Sequence, residues 1–222
     1  MELPQQRQRV VVDGLGKVGE IKENKTVESG ISGKKHLSTL SNKVNLEYIS
    51  SKEYHNKFKG ITDNSLLNEQ LYSQAKAILV HRNGTDKEDL ILINHKTGEI
   101  EGMQSSSKSD FIVDYNKSLN NAIINNEPYT LVSLHNHSTN NPPTGSDFVS
   151  CGWHKYKMGV VVTHNGKVFT YKTGVRPFSS NTFGRTVDKY RNVGYNLSEY
   201  EAIIQTLKDY EERYGISWKE IL

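Results

Sequence analysis

The run Tyr129-Thr-Leu-Val-Ser-Leu134, which ends in His135-Asn-His137, constrains this chain more than any other segment. Its β-branched and aliphatic residues predict a strand. In a strand, residues i and i+2 point to the same face, so the two imidazoles stand together at its end. A short loop rich in Asn and Pro then leads to Pro143-Thr-Gly-Ser-Asp147, where a carboxylate arrives near the start of a helix read from Gly145 to about His154. Two His and one Asp supply three N/O ligands. That set suits a catalytic Zn2+ with one position left open for water. His135, His137 and Asp147 are therefore the candidate metal ligands, and the pattern points to a metal-dependent hydrolase or a descendant of one.

Composition narrows the alternatives. A chain of 222 residues accommodates one domain with appendages and a sizeable core. The hydrophobic share of 35% is low, which predicts that part of the chain lies outside that core. A net charge of +3 without a long Lys/Arg cluster gives no case for nucleic-acid binding. Cys151 is the only cysteine, so neither an internal disulfide nor a thiolate zinc site is available, which fits a reducing compartment. No apolar run approaches the length of a membrane span, and the N-terminus lacks the apolar stretch of a signal peptide. A cytoplasmic protein is expected.

The chain reads in three parts. Residues 1–45 are polar and rich in Gly, Lys, Asn and Ser, and are expected to form a flexible or extended arm. Gly14-Leu-Gly-Lys-Val-Gly19 within it matches G-x-G-x-x-G, but no apolar helix follows, so it is read as a glycine-rich turn. Residues 46–175 alternate helix and strand signals. Asn64 or Ser65 caps a helix carrying Leu67, Leu71, Ala75 and Ile78, and Asp89–Ile93 is a strand. His95-Lys-Thr-Gly98 turns into a strand over 99–104, and a helix is read around 116–125. Strands at 158–163 and 167–171 are joined by Asn165-Gly166, a strong hairpin signal. Residues 176–222 are expected to be a C-terminal helical extension. The fold class is α/β or α+β, with a central mixed sheet packed by helices.

Each candidate has a plain structural counterpart. Thr144-x-x-Asp147 is also a capping-box variant, with Thr144 at the N-cap and Asp147 at N3. Glu88 stands immediately before the strand Leu90–Ile93 and is either a charged strand-start residue or a catalytic carboxylate. Glu99 and Glu101 compete for that role but are expected to face solvent. His81, His95, His154 and His164 are read as structural, and Cys151 as a small buried residue.

Glu88 before an apolar strand, then His135-Asn-His137, then Thr144-Gly-Ser-Asp147, resembles the JAMM/MPN (JAB) metalloprotease family. The likeness is nearest the RadC-like bacterial branch and covers about residues 65–175. Three features depart from the family pattern. The spacer between His137 and Thr144 is six residues, Thr144 replaces a serine, and Ser138 replaces a proline. The stretches Tyr48–Phe58 and Ala75–Gly84 are also similar to regions of phage head-morphogenesis and minor-capsid proteins.

The resemblance implies a zinc peptidase or isopeptidase acting on a peptide or protein substrate. It implies that the metal acidifies a water, that Glu88 shuttles the proton as general base and then acid, and that the Thr144 hydroxyl donates to the developing oxyanion. The second reading is a non-catalytic JAMM-like module in a phage or nucleoprotein assembly. An amidohydrolase-type barrel does not fit, because too few residues follow His137 for eight strand–helix units. A zinc deaminase would need a P-C-x-x-C half-site, which is absent.

Overall fold

The alternating helix and strand signals resolve into an α+β fold, a six-stranded mixed sheet with helices on both faces, in a computed structural model that describes Asn42–Leu222 apart from Val193. Contacts divide the chain into Met1–Thr39 and Leu40–Leu222. Most of the expected arm, with the Gly14–Gly19 motif, lies outside the described residues. Within them, Val44 is already buried in the core, and Asn45 caps the first helix.

Two short helices, α1 (Leu46–Ile49) and α2 (Lys52–Asn56), precede the long α3 (Ser65–Arg82). Asn64 settles the choice of cap, since its Oδ1 accepts from the Leu66 and Leu67 amides at 3.0 and 3.3 Å. Leu67, Leu71, Ala75 and Ile78 then form one buried stripe on α3. The first hairpin follows, β1 (Leu90–Asn94) paired antiparallel with β2 (Ile100–Gln104). After α4 (Lys117–Asn125) comes β3 (Leu131–His137), buried along its whole length, as a strand covered on both faces must be. Next are α5 (Gly145–Trp153) and the second hairpin, β4 (Met158–Thr163) with β5 (Val168–Lys172). Gly166 turns that hairpin at φ +82°, the left-handed conformation an Asn-Gly turn requires. The chain closes with α6 (Ser180–Asn192), α7 (Glu199–Tyr214) and β6 (Ser217–Ile221).

Strand order is β2-β1-β3-β4-β5-β6, and β3–β4 is the parallel pair. Alternation along the strands divides the core. Ile91, Ile93, Val132, Leu134, Val160 and Val162 pack with α1–α3 on one face. Leu90, Leu92, Leu131, Val161, Phe169 and Tyr171 pack with α4–α7 on the other. The C-terminal region is thus helical as expected, but its last residues add β6 to the sheet, pairing Val168 with Ile221. That strand escaped the sequence reading because Ser217-Trp-Lys-Glu-Ile221 is a short, charged edge strand without an apolar run.

Tyr171 lies across Gly159, its register partner on β4, so closely that a Cβ there would sit 2.0 Å from the ring. The Tyr171 ring is itself buried and packs edge-on against Phe148, so it has little room to swing aside. Gly159→Ala should therefore lower stability by about 1–3 kcal/mol through overpacking. A fall in the denaturant midpoint at constant slope is the expected reading, and an unchanged midpoint contradicts this packing.

Candidate metal centre

Strand alternation sets His135 and His137 on the α5 side of β3, both almost fully buried. Their Nε2 atoms lie 3.1 Å apart. Asp147, in the first turn of α5, brings Oδ1 within 3.1 Å of His135 Nε2 and Oδ2 within 3.5 Å of His137 Nε2. One ligand atom from each residue falls within a 4.8 Å span. Four bonds of about 2.0–2.1 Å at tetrahedral angles hold ligand atoms roughly 3.3–3.4 Å apart. The histidine nitrogens stand close to that value, and each has one Asp147 oxygen at a similar distance, so the three residues could hold a zinc-sized cation.

The surrounding contacts orient His137 and Asp147. The His137 ring donates from Nδ1 to the Asn141 carbonyl at 2.9 Å, which leaves Nε2, facing Asp147, as the nitrogen that carries either the second proton or a cation. The loop that supplies this carbonyl is pinned in turn, as Asn140 Oδ1 accepts from the Asn165 amide at 2.8 Å. Thr144 donates to Asp147 Oδ2 through its amide at 2.6 Å and through its hydroxyl at 3.1 Å. Capping and the approach to the histidines therefore coexist in one carboxylate, with Oδ2 held by Thr144 and Oδ1 turned to His135. The Thr144 hydroxyl has a single proton, and here Asp147 holds it. Donation to an oxyanion would require that bond to open first.

Glu88 stands two residues ahead of the neighbouring strand, β1. Leu90 pairs with His135, and the same antiparallel register carried two residues outward sets Glu88 opposite His137. The ladder is wedged open there by Asn136, the residue between the two histidines. Its Oδ1 accepts from the Asp89 amide at 2.9 Å, and its Nδ2 donates to the Lys87 carbonyl at 3.1 Å. The same Nδ2 reaches His164 Nε2 at 3.2 Å, while His164 Nδ1 donates to the Asn42 carbonyl. One amide side chain thus clamps the residues on either side of Glu88. Asp89 is fixed further by the buried Arg82, at 2.5 Å, and by His81 at 2.7 Å. The Glu88 carboxylate itself, 8% exposed, has no hydrogen bond or ion pair among the described residues. It lines one cavity of about 290 Å³ together with His135 and Asp147. Glu99 and Glu101 lie at the opposite end of β1, outside that cavity.

The sequence reading assigns Asn136 no role. A signal was present: an Asn between two residues of a buried strand end must have partners for its amide. The histidines set aside as structural are engaged elsewhere. His81 and His164 belong to the network just described, His95 Nδ1 lies 3.0 Å from the Thr130 carbonyl, and His154 stacks on Tyr115. Cys151 is buried, and burial pushes its thiol up to about 11.

The electrostatics couple these groups. Burial pulls the His137 pKa down, but Asp147, Glu88 and the Asn141 carbonyl outweigh it and raise it from 6.5 to about 9. Burial pushes Asp147 up, but His137 and His135 prevail and hold it well below its usual 3.8. In the metal-free protein the stabilisation from protonated His137 is complete below pH 6.5 and lost as pH rises through about 9. A cation binding Nε2 must displace that proton. Near neutral pH, zinc uptake should release about one proton per metal from His137, and affinity should fall about tenfold per pH unit on acidification. Calorimetry in buffers of different ionisation enthalpy measures this. Proton-neutral uptake contradicts the assignment of His137 Nε2 as a ligand.

Comparison with family models, with curated proteins and with solved structures returns no match for this chain. Among the described residues, no helix is long and apolar enough to cross a membrane.

Proposed function

We propose that this chain is a metal-dependent amide hydrolase of JAMM/MPN-like type, with zinc as its metal and a peptide or isopeptide as its substrate. The observation that carries the reading is the convergence of His135, His137 and Asp147 beside a buried glutamate without a hydrogen-bond partner among the described residues. When bound, zinc supplies Lewis-acid polarisation of the scissile carbonyl and a water acidified toward neutral pH. His135 and His137 hold the cation through Nε2, and Asp147 holds it through the oxygen that Thr144 does not occupy. Burial raises the Glu88 pKa, while His137 and His135 oppose the rise, so the carboxylate is neither a spent acid nor a fully solvated base. That balance suits a group that takes a proton from the attacking water and returns it to the leaving nitrogen. Asn136 fixes the backbone from which Glu88 acts.

The test is hydrolysis of mixed linear and isopeptide-linked peptides by the zinc-loaded protein, read as newly formed amines. Cleavage that stops with chelator and returns with zinc is the expected result. Bound zinc with no cleavage of either class contradicts the enzyme reading and supports a non-catalytic assembly module.

A further inference from the structure

The cavity beside the metal ligands has a chemistry that the hydrolytic reading leaves unused. One side is reactive, formed by Glu88, His135 and Asp147. The rest is largely apolar. Leu90 supplies part of the floor, and Phe111, Ile112 and Val113 rise from the segment between β2 and α4. This wall is built in place: the Phe111 amide donates to the Asp86 carbonyl at 2.9 Å, and Ser107 Oγ donates to the Ile112 carbonyl at 2.8 Å. Phe111 has φ 58°, a conformation disfavoured for a bulky residue, and both its ring and Ile112 are more than half exposed at the cavity's edge. Two large apolar side chains held at the rim of a reactive cavity leave apolar surface for something else to cover.

The polar groups of the cavity are neutral. Tyr115 OH bonds Ser150 Oγ and Tyr156 OH at 2.9 and 3.0 Å. Ser133, 2% exposed, lies near Tyr171, but its Oγ has no partner of hydrogen-bond geometry. Apart from the reactive side, no charged residue among the described residues lines the space. With a dication held, Glu88 and Asp147 balance it, and a charged guest would be buried unpaired. A volume of about 290 Å³ is at the small end of ligand sites. It holds one side chain with its own peptide group, not a cofactor.

We propose that this cavity is the specificity pocket of the site, and that it selects a bulky, uncharged, apolar side chain on the residue next to the scissile bond. The inference rests on the metal-hydrolase reading and narrows its substrates. It excludes Gly-, Asp- and Lys-directed cleavage at this position and favours Leu, Met, Phe or Tyr.

Amino-acid hydroxamates test it without requiring turnover, because the hydroxamate group seeks the metal while the side chain samples the pocket. Binding of the hydroxamates of phenylalanine, leucine, glycine and aspartate to the zinc-loaded protein is measured by calorimetry. Burial of one large apolar side chain predicts that the first two bind about tenfold or more tighter than the glycine compound, and the aspartate compound no tighter. Ile112→Asp should shrink the phenylalanine-to-glycine ratio toward one. Equal affinities, or preference for aspartate, overturn the pocket and leave the metal reading intact. Failure of every hydroxamate to bind overturns the pocket together with an accessible metal position. Failure to take up zinc at all overturns the reading beneath both.

Discussion

The double variant His135→Ala, His137→Ala is expected to purify without zinc, against about one zinc per chain in the parent protein. Structural zinc sites with four protein ligands are worth about 10–16 kcal/mol near neutral pH, so two lost imidazoles cost on the order of 10⁴-fold in affinity or more. Asp147 and any bound water cannot replace them. The same change is read in stability. At free zinc a thousandfold above Kd, the parent should gain about 4 kcal/mol on metal addition, and the double variant nothing. Zinc retained undiminished in the double variant places the metal elsewhere and removes the basis of the proposed chemistry. A folding control is needed, because the substitutions leave Asp147 buried beside Thr144 without its imidazole partners. Far-UV circular dichroism of the metal-free proteins supplies it.

The second large effect concerns Glu88. Glu88→Gln keeps the size of the side chain and cannot accept a proton, so turnover should fall about 10²–10⁴-fold while zinc content stays at that of the parent. A thermodynamic signature accompanies the kinetic one and needs no substrate. Burial raises the Glu88 pKa above 4.5. The folded state therefore binds this proton more tightly than the unfolded state, and the stabilisation from the protonated carboxyl is lost as pH rises through the folded value. Glutamine has no such loss. The variant's stability relative to the parent should thus improve between pH 4.5 and neutrality in metal-free protein. A chemical denaturation series across pH measures it. Undiminished turnover assigns the proton transfer to another group, and a flat stability difference removes the buried, uncompensated carboxylate.

Much of this was legible in the sequence because it is local. Period-two alternation determines that His135 and His137 share a face, and no tertiary contact can alter that while the segment is a strand. The Asn165-Gly166 turn fixes a hairpin by its own backbone preference, and the stripe on α3 declares its buried side. Asp147 was legible as a cap and as a candidate ligand, since one oxygen accepts from Thr144 while the other is turned to His135. What escaped depends on registers between distant segments. Asn136 acquires its clamp only when β1 meets β3 with Leu90 opposite His135. Tyr171 finds its place only across Gly159 of the neighbouring strand. The Phe111–Val113 wall depends on Asp86 and Ser107, whose short polar segments carry no periodic signal. β6 was hidden for a related reason, since its partner, not its own composition, makes it a strand.

The claim beneath all of this is that one cation sits among His135, His137 and Asp147. Diffraction from crystals of protein purified without chelator, recorded on both sides of the zinc absorption edge, tests it most directly. The account predicts a single anomalous peak bounded by His135 Nε2, His137 Nε2 and the Asp147 carboxylate, present above the edge and absent below it. Crystals of zinc-replete protein with no peak there, or with the peak at another cluster, would contradict it.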